Sequence, residues 1–151
     1  MGSLAAMSIW TRPPDLHEIN RTHVVGLARH LGIQITDFDT ESLTATMPIT
    51  AALAQGDGLL NGGASAALAE ITAGIAGEHC IDATRQCVVG QEINVSHLRS
   101  AKAGAVTATA RPLRLGARSQ VWQVELRDDA GQLIAVSRLT SAILERRGST
   151  V

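Results

Sequence analysis

The chain has 151 residues, with 13 Lys+Arg against 14 Asp+Glu for a formal net charge of −1, and it is 45% hydrophobic and 18% charged. That length and apolar fraction suit one folded domain with one core rather than a disordered chain, and the balanced charge excludes a phosphate-neutralising nucleic-acid binder. With one Phe, two Trp and no Tyr, base-stacking platforms are excluded as well, so the core must come from Ala, Val, Leu and Ile packed at close backbone approach.

In chain order, residues 1–12 read as an irregular opening segment. Residues 1–6 lack the basic start and apolar run of a secretion signal, and Met7 offers a second start that would leave 1–6 outside the native chain. Pro13 and Pro14 precede Asp15, a suitable N-cap, and Leu16, Ile19, Val24, Leu27 and Leu31 predict one short helix ended by Gly32. In residues 42–49, Leu43, Ala45, Met47 and Ile49 face one way and Ser42, Thr44 and Thr46 the other. That is a strand with one wet face. Residues 33–38 are its expected hairpin partner, through a turn at 39–41.

Residues 51–61 form a loop punctuated by Gly56 and Gly58. From Gly62 to about Cys80 the period changes: Ala64, Leu68, Ile71 and Ile75 recur at helical spacing, and Glu70 is the only charge between Ala64 and Gly77. Such a helix, roughly 25 Å long, is expected to be buried on most sides. Strands follow at 87–95, 104–113, 119–127 and 132–144, with Trp122, Val124 and Leu126 alternating against Gln123, Glu125 and Arg127. A hairpin turn is expected at 128–131, where Gly131 can take positive φ. Residues 146–151 read as a frayed polar tail. The expected architecture is α+β: one domain over 13–145, its antiparallel sheet curled around one long helix, with an unpaired edge that invites a second copy. Cys80 and Cys87 make no disulfide framework and, with His79, no four-ligand zinc set. A reducing compartment, the cytoplasm, is therefore expected. No apolar run reaches the ~18 residues of a membrane span.

The chemistry concentrates in one run, Gln55-Gly56-Asp57-Gly58-Leu59-Leu60-Asn61-Gly62-Gly63-Ala64-Ser65, followed by Leu68-Ala69-Glu70. Glycines at the entry of a helix leave free N–H donors at its positive end, which suits a carbonyl developing negative charge. A carboxylate on the same apolar helix is costly unless it has a partner or a role. An oxyanion donor with a carboxylate base or nucleophile is the equipment of acyl transfer. Gly62 and Glu70 are eight residues apart, ~12 Å along a helix, so one thioester carbonyl cannot touch both on a single chain. If both act, two copies must share each site.

Here the sequence resembles the hotdog-fold acyl-CoA thioesterases, in the branch of hydroxybenzoyl-CoA thioesterase, dihydroxynaphthoyl-CoA hydrolase and the enterobactin-pathway proofreading thioesterase. The likeness runs on through residues 88–94, His97-Leu98-Arg99-Ser100, Pro112 to Gly116, Gln120-Val121-Trp122 and 138–144, and covers almost all of 9–145. It implies a hotdog fold, with Glu70 as catalytic base or nucleophile, Gln55 as active-site glutamine and Gly62 N–H as oxyanion donor. It further implies CoA contacts at Gly90, at His97, Leu98, Arg99 and Ser100, and at Arg114, Leu115, Gly116, Ala117, Arg118 and Ser119, where guanidinium groups suit phosphates. CoA then enters as part of the substrate, with no separate cofactor. The implied substrates are acyl-CoA, aromatic acyl groups favoured, or acyl-carrier thioesters, and the implied assembly is a homodimer, doubled to a tetramer. The first two of three departures keep a different thioester reaction, or acyl-CoA binding without turnover, open as alternatives. Asn61 replaces a histidine, Gly74 replaces a Ser or Thr one turn after Glu70, and Gly56-Asp57 replace Pro-Phe.

Overall fold

A computed structural model describes residues 8–146; the expectations for residues 1–6 and for 147–151 lie outside it. The order is α1 (Leu16–Thr22), α2 (Gly26–His30), β1 (Gln34–Phe38), β2 (Leu43–Pro48), a 3-10 turn (Ala51–Leu53), α3 (Gly62–His79), β3 (Gln86–His97), β4 (Ala105–Leu115), β5 (Ser119–Arg127) and β6 (Leu133–Glu145). The six strands form one sheet in the order β1-β2-β4-β5-β6-β3, every neighbouring pair antiparallel. The sheet's inner face lies on α3.

Small side chains set that contact. Ala45, Ala108, Ala110 and Ala135 on the sheet, and Ala64, Ala69, Ala73 and Ala76 on the helix, are all buried. Leu43, Met47, Leu68, Trp122, Val124, Leu126 and Leu139 fill the remaining volume. One buried polar latch ties helix to sheet: Gln120 donates from Nε2 to the Gly77 carbonyl at 3.1 Å and accepts from Trp122 Nε1 at 3.0 Å. A Cβ at Gly77 would collide with the Gln120 side-chain oxygen, so the helix can come this close only at a glycine.

Asp15 caps α1 as expected, accepting from Glu18 N–H at 2.8 Å. The single helix expected over this region is in fact two. Val25 is extended (φ −130°, ψ 171°) and Gly26 takes φ +52°, a left-handed conformation cheap only for glycine. The break turns Val24 inward and re-aims Ala28 and Leu31 onto the core. Asn20 then clamps α1 to β1, bonding both the N–H (2.9 Å) and the carbonyl (2.7 Å) of Ile35. At the other terminus Arg146 is not frayed. Its N–H donates to the Arg85 carbonyl at 2.7 Å and its Nε reaches the carbonyls of Ala83 and Gln86.

Nor is α3 buried on most sides. The sheet covers one face, while Gly62, Ala66, Ala67, Glu70, Ile71, Gly74 and Glu78 remain half-buried and Gly63 exposed. β3, the long edge strand, is largely exposed as well. Among the described residues no helix is long and apolar enough to cross a membrane.

Candidate active site

The loop before α3 is drawn tight by its own polar groups. Gln55 N–H donates to the Leu59 carbonyl (2.8 Å), Gly58 N–H returns to the Gln55 carbonyl (2.9 Å), and Asp57 accepts from Leu59 N–H at 3.0 Å. Gly58 supplies the positive φ, +79°. Asn61 N–H and Leu60 N–H then bond the carbonyls of Leu53 and Ala101, both at 2.8 Å, which seats the loop beside the segment that follows β3. The outcome is a cleft of about 360 Å³ lined by Gln55, Leu59, Leu60, Gly62, His97, Leu98, Arg99 and Ser100. Gln55 is exposed there, its Nε2 3.4 Å from Asp57 Oδ2. The charge that replaces Pro-Phe therefore touches Gln55.

Asn61 is the N-cap of α3. Its Oδ1 accepts from Gly63 N–H at 2.8 Å and its carbonyl takes the N–H groups of Ala64 and Ser65. Among the described residues the Gly62 N–H is left without an acceptor, at the positive end of an 18-residue helix. A Cβ at Gly62 would lie 3.0 Å from His97 Cε1, so the imidazole rests against the glycine and would have to shift to admit a side chain there.

Glu70 belongs elsewhere. Two turns further along α3 it lines a second cleft, of about 320 Å³, with His23, Val25, Leu27, Ala28, Ile71, Gly74, Ile75 and Glu78. No ion-pair or hydrogen-bond partner is found for its carboxylate among the described residues. Its neighbour across the interface with the sheet is Gly90, where a Cβ would stand 2.8 Å from Glu70 Oε1. Gly90 sits at the register shift between β3 and β6, a bulge that bends the strand. Gly74 has open space where a side chain would be.

Arg114, Leu115, Gly116, Ala117, Arg118 and Ser119 make the tip of the β4–β5 hairpin, closed by Gly116 N–H to the Ser119 carbonyl at 2.9 Å. β6 measures how far this tip lies from Arg99. Arg99 N–H bonds the Ile134 carbonyl at 3.1 Å and Ile143 N–H bonds the Arg118 carbonyl at 3.0 Å. Nine strand residues separate those anchors, ~30 Å. Arg99, Arg114 and Arg118 are exposed and form no ion pair among the described residues. One chain therefore presents two half-sets. Gln55, Asn61, Gly62, His97, Leu98, Arg99 and Ser100 share one end, while Glu70 and Gly90, with the Arg114–Ser119 tip beyond them, lie toward the other.

His23 and Glu78 also line the Glu70 cleft, and no sequence motif pointed to them. The only signal was a second carboxylate two helical turns after the first. Cys80 and Cys87 are free thiols, and burial pushes Cys80 up to about 12.

Residues 57–135 match the Thioesterase superfamily. The chain is 43% identical over 136 residues to a 1,4-dihydroxy-2-naphthoyl-CoA hydrolase of Escherichia coli, covering 90% of this chain and 99% of that one. It is equally 43% identical over 136 residues to a proofreading thioesterase of Cronobacter turicensis, covering 90% and 98%. Among solved structures, a mutant thioesterase from Pseudomonas aeruginosa superposes with a TM-score of 0.90 at 40% identity, over 92% of this chain and 100% of that one. Taken with the curved six-stranded sheet on one long helix, these likenesses show that the chain belongs to the thioesterase superfamily, with its hotdog fold and its hydrolase chemistry.

Proposed function

We propose that the protein hydrolyses acyl-CoA thioesters, aromatic acyl groups favoured, at sites shared between two copies of the chain. The separation within one helix carries this reading: the free Gly62 N–H and the Glu70 carboxylate are ~12 Å apart along α3, each in its own cleft. A two-fold axis near the middle of α3 would set the Gly62 end of one copy against the Glu70 end of the other. It would also pair the exposed β3 edges and bring the Arg99 end of one chain toward the Arg118 tip of its partner. A homodimer is the minimum, and its doubling to a tetramer follows the same family resemblance.

Within such a site Gly62 N–H stabilises the developing oxyanion, aided by the helix dipole. Glu70 attacks the carbonyl carbon or deprotonates the attacking water, and Gln55 orients whichever group attacks. Asn61 holds the donor in place through its cap and carries no transferable proton near pH 7. The exposed arginines bind CoA phosphates, and CoA leaves as the thiol product. A carrier-protein thioester presents the same pantetheine arm and is the second substrate class to assay. Two free cysteines suit the cytoplasm.

The test is Glu70→Gln, which keeps shape and removes charge. Turnover of benzoyl-CoA, followed by release of free thiol, should fall by about 10²–10⁴ while CoA binding and thermal midpoint stay near the parent values. Parental turnover in this variant would remove Glu70 from the mechanism. CoA binding with no hydrolysis of any thioester by the parent would favour the binding-only alternative that Asn61 and Gly74 leave open.

A further inference from the structure

Asp57 is the only charged residue between Pro48 and Glu70, and it takes the Phe place of the Pro-Phe pair that the family branch carries. Its loop is closed at the neck by an antiparallel bridge between Ala54 and Leu60. Inside the neck, Gln55 is fixed at both backbone groups, its N–H to the Leu59 carbonyl and its carbonyl to the Gly58 N–H. The Asp57 carboxylate folds back into this turn. Its Oδ1 accepts from Leu59 N–H at 3.0 Å, which leaves Oδ2 3.4 Å from Gln55 Nε2. That separation is long for a hydrogen bond, and catalytic contacts of this kind shorten when substrate closes a site.

Elementary chemistry dictates the polarity of the contact. A carboxylate can only accept, so of the two ends of the Gln55 amide only the NH2 can face it. The reverse would set two acceptors against each other. An exposed glutamine amide has a broad, two-fold terminal torsion and would otherwise turn either end toward the cleft it lines. With Nε2 held at Asp57, Oε1 is the end left over, and no hydrogen bond to it is found among the described residues.

We propose that Asp57 is a positioning residue: by holding Gln55 Nε2 it makes Gln55 meet the attacking group through its side-chain carbonyl oxygen. The inference rests on the thioesterase reading above, in which Gln55 orients whatever attacks the thioester. An acceptor in that place suits a water, which has hydrogens to give, and opposes a carboxylate oxygen, which has none. Asp57 acts only through Gln55 and touches no reacting atom.

The test is the substitution that inverts the contact while keeping the turn. In Asp57→Asn the single side-chain oxygen is claimed by Leu59 N–H, as in any Asx turn. The new NH2 then faces Gln55, whose amide must turn over. With benzoyl-CoA and the full-length protein, kcat should fall about tenfold or more, while KM stays within about twofold and the thermal midpoint is unchanged. In a Gln55→Ala background the same substitution should change kcat by less than about twofold, because the effect travels through Gln55. Parental kcat in Asp57→Asn, or a loss of equal size with and without Gln55, would overturn the positioning role and leave the hydrolase intact. So would a change confined to KM, which a charge acting on the CoA phosphates would give. Absence of thioester hydrolysis by the parent would refute the thioesterase reading, and this inference with it.

Discussion

Gly90 shows how a single missing carbon makes room for the Glu70 carboxylate, the proposed base or nucleophile. A Cβ there would stand 2.8 Å from Glu70 Oε1 and 3.7 Å from Leu139 Cδ1. The close atom is the end of a flexible side chain, so Gly90→Ala should displace the carboxylate rather than the backbone. Stability is expected to stay within about 0.5 kcal/mol of the parent, the usual range for changes that create no buried defect. Turnover should drop at least about tenfold, since small misplacements of a reacting group are costly in rate. Parallel thermal melts and thioester assays check this, and a variant that melts early without a specific loss of turnover would count against it. Gly90 was expected from the family likeness as a CoA contact. Its position beside Glu70, 20 residues away in sequence, depends on sheet register that no local pattern reports.

At the scale of elements, the Gln120 latch and the end of α3 carry testable energetics. Gln120→Leu leaves the Trp122 Nε1–H buried without an acceptor, while the Gly77 carbonyl keeps the Cys80 N–H at 3.1 Å. One orphaned donor costs about 1–3 kcal/mol. In a domain of this size each kcal/mol lowers the melting midpoint by roughly 2–4 °C, so a loss of several degrees is expected by calorimetry. His79 is buried at the end of α3, its Nδ1 bonded to the Arg12 carbonyl at 2.9 Å and its Nε2 without a partner among the described residues. Burial holds its pKa below the ordinary value of 6.5, against the opposing pull of the Arg12 carbonyl. Below that value the unfolded chain takes up a proton that the folded chain resists. Stability is therefore complete above pH 6.5 and declines as the pH falls toward the folded value. His79→Gln should flatten that decline in urea titrations between pH 7.5 and 5; an unchanged slope would contradict it.

Strand alternation and the 3.6-residue spacing of Leu68, Ile71 and Ile75 made β2, β5 and α3 readable, because one-sided burial writes a period into the sequence. The break between α1 and α2 was not readable. Val24, Leu27 and Leu31 keep helical spacing straight across Gly26, and only the backbone reveals the turn. The Gln120 latch and the Asn20 clamp join residues far apart in sequence, so neither leaves a local trace. The motif from Gln55 to Glu70 was legible for the opposite reason, since its parts lie on one loop and one helix.

For the whole molecule, the decisive feature is that one chain places the proposed catalytic residues in two separate clefts. Gln55 and Gly62 share a cleft with His97 and Arg99, whereas Glu70 lies in another with Gly74 and Gly90 beside it. Under the proposal of shared sites, the exposed β3 edge and the uncovered face of α3 are the surfaces through which a second copy would bring them together. Co-expressing differently tagged Glu70→Gln and Gln55→Ala chains, and purifying the mixed dimers, tests this directly. Each mixed dimer would hold one site with Gln55, Gly62 and a partner's Glu70 all intact, beside one site lacking both. The account predicts about half the parental turnover in the mixed dimers against only residual turnover in either homodimer. Mixed dimers no more active than the average of the two homodimers would show that each chain works alone.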